Sequence, residues 1–185
     1  MVRLLAVARM IVMIGKVAVA MVLAVLAVPV LSGQTSAVGG AACGDGATQF
    51  SVKEDRARLP PGTPAGKALI YFVERDTGIF FPPITRVGVD GKWVGATHGA
   101  SYISFAVDPG VHHFCAMTQS SDGSQASLAH VTAKAGEVYY FEVKAVSASQ
   151  GSGVLWTDRS LTALDSDEGE LLVRDSAYST GREKN

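Results

Sequence analysis

The chain is short of the residues that usually announce chemistry. It has two cysteines, four histidines and two tryptophans in 185 residues. No G-x-S-x-G stands anywhere in it, so a serine nucleophile of the hydrolase type has no support. No H-x-H or H-E-x-x-H spacing is present, and the acidic group Asp165, Asp167, Glu168 and Glu170 lacks the alternating ligands and glycine of an EF-hand loop. No basic stripe exists, which argues against a nucleic-acid partner. Nothing in the sequence calls for a cofactor. Helical periodicity is missing from residues 48 to 162, and acidic residues are missing before Asp45.

That last absence marks the start of the chain. Arg3, Arg9 and Lys16 precede an uncharged apolar run, Val17–Leu31, and small polar residues follow it. This is the layout of a secretory signal: a positive flank, an apolar stretch, then small residues for a peptidase. Residues 1–37 are expected to be a signal peptide cleaved after Ala37, with Thr35 and Ala37 at the recognition positions. Met10 and Met13 are alternative starts. The competing reading is an uncleaved anchor, although the run is shorter than the roughly 20 residues of a spanning helix. A membrane contact is expected only through this leader. Residues 38–185 carry 13 Lys+Arg against 17 Asp+Glu, a net charge of −4 with histidine neutral. The expected location is exported: periplasmic, cell-envelope or extracellular.

Two cysteines in an exported protein most simply form one disulfide. Joining Cys43 to Cys115 would close a loop of about 70 residues, worth about 4 kcal/mol in the chain-entropy model. The rival is a lipid anchor on Cys43. Gly40 stands where such a signal wants leucine, and Cys115 would be left a free thiol.

Beyond Cys43 the apolar pattern is that of strands. Thr48–Lys53 alternates, whereas Arg56–Gly66, with three prolines, reads as a linker. Lys67–Glu74 is compact, aromatic and β-branched. Arg86–Val89 and Lys92–Gly95 flank Asp90-Gly91, the pair that supplies positive φ to a type I′ hairpin turn. Ser101–Val107 follows, then a turn at Asp108-Pro109-Gly110 expected to be type II. Val111–Thr118, Ala126–Thr132, Val138–Val143 and Val154–Leu161 complete the strands, with Ala145–Gly153 expected to be flexible. Leu164–Asp175 is expected to be a short helix capped by Asp165 or Ser166, although Gly169 disfavours it by about 1 kcal/mol. The predicted fold is all-β: an antiparallel sandwich of about seven short strands with a short C-terminal helix. Residues 38–66 form a Gly/Pro-rich N-terminal segment with one strand, 67–175 the sandwich domain and 176–185 a flexible tail.

The order K-A-L-I-Y-F, V-G-V-D-G-K-W-V-G, S-Y-I-S-F-A-V-D-P-G-V-H-H-F-C, A-G-E-V-Y-Y-F-E-V resembles the bacterial family called domain of unknown function 2846. The likeness covers about residues 66–175. It implies an exported β-sandwich, implies no enzyme activity, and supports the Cys43–Cys115 bridge. Family members are often lipoproteins, but this leader departs from that pattern.

The candidate ligand contacts are Trp93, close after the tight turn, the loop pair Phe80-Phe81, and His98, His112 and His130. One function expected is a non-catalytic binding or accessory module of the cell envelope, its partner an envelope protein or surface ligand. A second is a metal-binding protein or metal-dependent enzyme using His98, His112 or His113, and His130. Alternation sends His112 and His113 to opposite faces, so the two cannot share one metal. A third is a carrier of a small apolar ligand held between the sheets. In the Tyr139-Tyr140 pair, one ring is expected inward and one outward.

Overall fold

The structure is a computed structural model that describes residues 43–75, 82–119, 125–150 and 154–184. The leader and the Phe80-Phe81 pair lie outside these. Strands and helix follow in the order β1 Phe50–Asp55, β2 Ala68–Glu74, β3 Thr85–Val89, β4 Lys92–Thr97, β5 Ser101–Val107, β6 Gly110–Thr118, β7 Ser127–Ala133, β8 Val138–Gln150, β9 Val154–Leu164, α1 Ser166–Asp175 and β10 Ala177–Glu183. They make a six-stranded sheet, ordered β1-β10-β5-β2-β8-β9, and a four-stranded sheet, ordered β4-β3-β6-β7. Among the described residues no helix is long and apolar enough to cross a membrane.

Period-two alternation builds the sandwich. Strand β2 sends Ala68, Ile70 and Phe72 toward the smaller sheet, where they meet Val87, Phe114 and Ala116. Phe72, Phe114 and Phe141 form the centre of this layer, with ring centroids 5.1–5.5 Å apart. Such offset and edge-on ring pairs each add about 0.5–1.5 kcal/mol beyond the area they bury. The other side of β2 is buried too. Leu69, Tyr71 and Val73 form a second core with Tyr102, Tyr140 and Val173 of α1. This explains why β2 reads as a continuous apolar run instead of an alternating one.

The all-β sandwich with a C-terminal helix is as the sequence predicts, but the details differ. Ten strands occur among the described residues, and two pairs, β2–β8 and β5–β10, are parallel. The stretch 176–185, expected as a flexible tail, contains a strand. Ala177–Glu183 lies between β1 and β5, hydrogen-bonded to both. Its alternation is quiet in sequence because only Ala177 and Ser179 are buried, and both are small. The span Ala145–Gly153 was expected to be flexible, yet β8 runs to Gln150 and pairs in register with β9. The turn after β5 closes no hairpin, since β5 and β6 belong to different sheets, and Gly110 adopts φ +145° within β6. By contrast Asp90 and Gly91, at φ +48° and +81°, make the tight hairpin turn predicted.

Cys43 and Cys115 are bonded, with Cα atoms 5.5 Å apart and a sequence separation of 72. The bridge sits on the outer face of the smaller sheet. Trp93 lies beside it, so close to Gly44 that any Cβ there would fall 2.4 Å from the indole. The Trp93 indole N–H donates to the Asp45 carbonyl at 2.7 Å, and the Arg86 guanidinium stacks 4.6 Å above the ring. Arg86 also donates to the carbonyls of Gly46 and Thr48. The segment before β1 is thus fastened by sulfur, ring and guanidinium together.

Gly169 belongs in α1 for a reason that sequence alone hides. A Cβ on it would lie 2.2 Å from the Tyr140 ring, so the helix rests on that ring through its glycine. Asp165 caps the helix as expected, accepting from the Glu168 N–H at 2.9 Å. Gly→Ala inside a helix normally stabilises by about 1 kcal/mol. Here the sign should reverse: Gly169→Ala is expected to destabilise by about 1–3 kcal/mol through overpacking, as measured by urea unfolding.

Candidate functional site

The second core is where the fold leaves an opening. Register places Tyr71 of β2 beside Tyr140 of β8, and Val73 beside Tyr102 of β5. Tyr71 and Tyr140 stack with centroids 5.1 Å apart, and Tyr102 lies tilted against Tyr71 at 5.9 Å. Tyr178 of β10 meets Tyr102 edge-on at 5.4 Å. Helix α1 covers one side of this platform with Gly169 and Val173. Its start is tethered by Arg75, whose guanidinium bridges Glu142 at 2.6 Å and Glu168 at 2.9 Å.

The linker after β1 covers the other side. The Tyr71 hydroxyl donates to the Pro61 carbonyl at 3.1 Å, and the Arg58 guanidinium sits 3.9 Å over the Tyr178 ring. Between linker and helix lies a pocket of about 340 Å³. Its floor is Tyr71, Tyr102 and Tyr140, and its apolar walls are Leu59, Pro60 and Val173. Arg56, Arg58 and Arg174 stand around it with one carboxylate, Glu170. Among the described residues none of these arginines forms an ion pair.

Burial controls the phenols. It pushes Tyr71 up from 10.0 to about 12, helped by the neighbouring Tyr140 and Tyr102. Burial likewise raises Tyr102, with Tyr178 adding and Arg58 opposing, and raises Tyr140, with Glu170 adding. All three stay protonated at neutral pH. The Tyr102 hydroxyl is buried and has no hydrogen-bond partner among the described residues. Leaving such a group unmet costs about 1–3 kcal/mol.

The residues singled out from sequence lie elsewhere. Trp93 is committed to Gly44, Asp45 and Arg86, so its ring is part of the N-terminal clamp. His98 Nδ1 is 2.8 Å from Glu54. His112 is held between Asp90, at 2.6 Å, and the Asp108 carbonyl, at 2.7 Å. His130 faces His113 across the β6–β7 ladder, with ring centroids 6.2 Å apart. Of the histidines in the metal reading, the structure pairs His113 with His130 and engages His98 and His112 with carboxylates instead, and among the described residues no three potential ligands cluster for a metal. Tyr139 and Tyr140 do divide between the faces, Tyr139 packing against the inter-sheet core.

Sequence reasoning missed the pocket and one buried cluster. Glu74 ends β2 inside the sandwich, 2 % exposed. It accepts from Thr97 at 2.7 Å and Thr85 at 3.1 Å, and pairs with Arg159 of β9 at 3.2 Å. Arg159 also donates to Thr85 at 2.6 Å and to the Pro83 carbonyl. Burial raises the Glu74 pKa, against the pull of Arg159 and both threonines. Because Glu74 and Arg159 come from the larger sheet and the threonines from the smaller, this cluster staples the two layers. The alternation K-A-L-I-Y-F-V-E was its only trace in sequence: Glu74 falls on the same face as Phe72.

No family model, curated protein or solved structure matches this chain.

Two predictions follow from these contacts. Glu74→Gln breaks the buried pair with Arg159 and is expected to destabilise the fold, by up to about 3–5 kcal/mol in urea unfolding. For His112, burial lowers the pKa, but the bonds to Asp90 and to the Asp108 carbonyl outweigh it and raise the net value above 6.5. Burial raises Asp90, but the bonds from His113 and His112 bring it below 3.8. The pair's contribution, up to about 1 kcal/mol, is therefore complete between these two ordinary values. It is lost as pH rises through the folded His112 pKa or falls through the folded Asp90 pKa. An NMR titration should show His112 titrating above 6.5, and His112→Gln should remove the alkaline part of this dependence.

Proposed function

We propose that this protein is an exported, non-catalytic binding module of the bacterial cell envelope, of the domain of unknown function 2846 type, with the tyrosine-floored pocket as its ligand site. The observation that carries this reading is the pocket itself. It is concave, its floor is aromatic, and a few polar groups surround it; its volume of about 340 Å³ falls at the small end for ligand sites. The chemistry of the lining favours binding over turnover. Phenols held protonated and guanidiniums that never lose their charge donate hydrogen bonds but accept no proton from a substrate at neutral pH, which leaves Glu170 as the one carboxylate in the lining. Export is supported by the leader pattern, with which the Cys43–Cys115 disulfide is compatible.

The pocket lies on the outer face of the larger sheet, whereas the space between the sheets is filled by Phe72, Phe114 and Phe141. That favours a ligand under the linker over one carried in the sandwich interior. The test is a small-molecule library screened by NMR on protein with labelled tyrosine rings. Ligands are expected to shift Tyr71, Tyr102 and Tyr140 and to spare Tyr139, which faces the other layer. A library whose binders shift Tyr139, or none of the other three, removes the reading.

A further inference from the structure

We infer that the pocket takes a ring-bearing anion: a small molecule with a carboxylate or phosphate group on a flat or apolar body. The inference rests on the binding-module reading and adds the ligand's chemical class. Its first ground is charge. Residues 38–185 carry a net charge of −4, yet three arginines from two separate parts of the chain meet at this one pocket. Arg56 and Arg58 come from the linker, Arg174 from the last turn of α1. None has a carboxylate partner among the described residues, whereas Arg75 nearby bridges Glu142 and Glu168. Three guanidiniums against one carboxylate leave the lining net positive, and an anion among them meets attraction. Their planar donor forks suit carboxylate and phosphate oxygens in particular. Glu170 opposes an anion on its own side, so the charged group belongs on the arginine side of the pocket.

The second ground is the floor. The stacked rings of Tyr71 and Tyr140 offer a flat apolar surface. Leu59 is 83 % exposed at the mouth, an apolar side chain with nothing yet to cover it. A bare inorganic ion would use the arginines and leave the rings and Leu59 idle. A neutral ring would do the reverse.

Four probes separate these cases: benzoate, phenyl phosphate, benzyl alcohol and inorganic phosphate, each titrated into the full exported domain by NMR. Benzoate or phenyl phosphate should bind at least about tenfold more tightly than benzyl alcohol, a difference of 1.4 kcal/mol, and more tightly than inorganic phosphate. Either preference between the two anions supports the inference and says which group is seated. Added salt should erode the margin. Arg56→Ala and Arg174→Ala should erase most of it, with partial recovery in the lysine variants; both sites are exposed and unpaired, so unchanged Tyr139 resonances will report an intact fold. Benzyl alcohol binding as well as benzoate overturns the anion and leaves the pocket reading standing. Inorganic phosphate matching phenyl phosphate overturns the ring. If none of the four moves Tyr71, Tyr102 or Tyr140, both this inference and the binding-module reading fall.

Discussion

Burial of β2 on both of its faces obliges this chain to build two apolar layers, and the other elements are arranged to supply them. One layer is met by a whole sheet, which delivers Val87, Phe114 and Ala116 against Ile70 and Phe72. The other has only α1 and the linker before β2. A ten-residue helix is about 15 Å long, and six strands side by side span roughly 24 Å or more. The helix cannot cover the platform alone. The proline-rich linker closes part of the remainder, held by Tyr71 and Arg58, and what neither covers is the pocket. The candidate site is thus a direct result of covering a wide sheet with a short helix.

The two layers are locked by different means. At the end of β2 the inter-sheet layer is closed by ions and hydroxyls, Glu74 and Arg159 with two threonines. A buried pair of this kind adds little net stability, because desolvation offsets most of the Coulomb gain. Its geometry ties the sheets at this point, since each Glu74 oxygen accepts from a threonine of the smaller sheet. The disulfide works on the opposite term. By closing a 72-residue separation it restricts the unfolded chain, worth about 4 kcal/mol, and it anchors residues that pack mainly on Trp93.

Strand existence was legible where the apolar pattern was strong, as in Lys67–Glu74 and Val138–Val143, and where turn chemistry was explicit, as at Asp90-Gly91. The Cys43–Cys115 bridge could be read from the cysteine count and the leader pattern. What escaped was anything decided by partners far away in sequence. Gly169 looks like a helix breaker until Tyr140 is seen pressed against it. The last strand has too few large side chains to show a period, and its pairing with β1 and β5 supplies what propensity does not. The pocket was invisible for the same reason. Tyr71 and Tyr140 become neighbours only through the parallel pairing of β2 with β8, and Arg56 and Arg174 meet only because the linker and helix share one face. The aromatic that sequence favoured, Trp93, is engaged in holding the chain's own N-terminal segment.

The pairing of β1 with β10 has a kinetic side. In the larger sheet β1 hydrogen-bonds to β10 alone, with Phe50 opposite Glu183 and Asp55 opposite Tyr178. The two segments are far apart along the chain, so a ribosome releases β1 long before β10. Until β10 emerges, β5 has a bare flank and β1 has no ladder to join. The sulfur bridge can close well before then, because Cys115 precedes β7. The pairing of β1 in its sheet therefore waits on β10, the strand farthest from it in sequence.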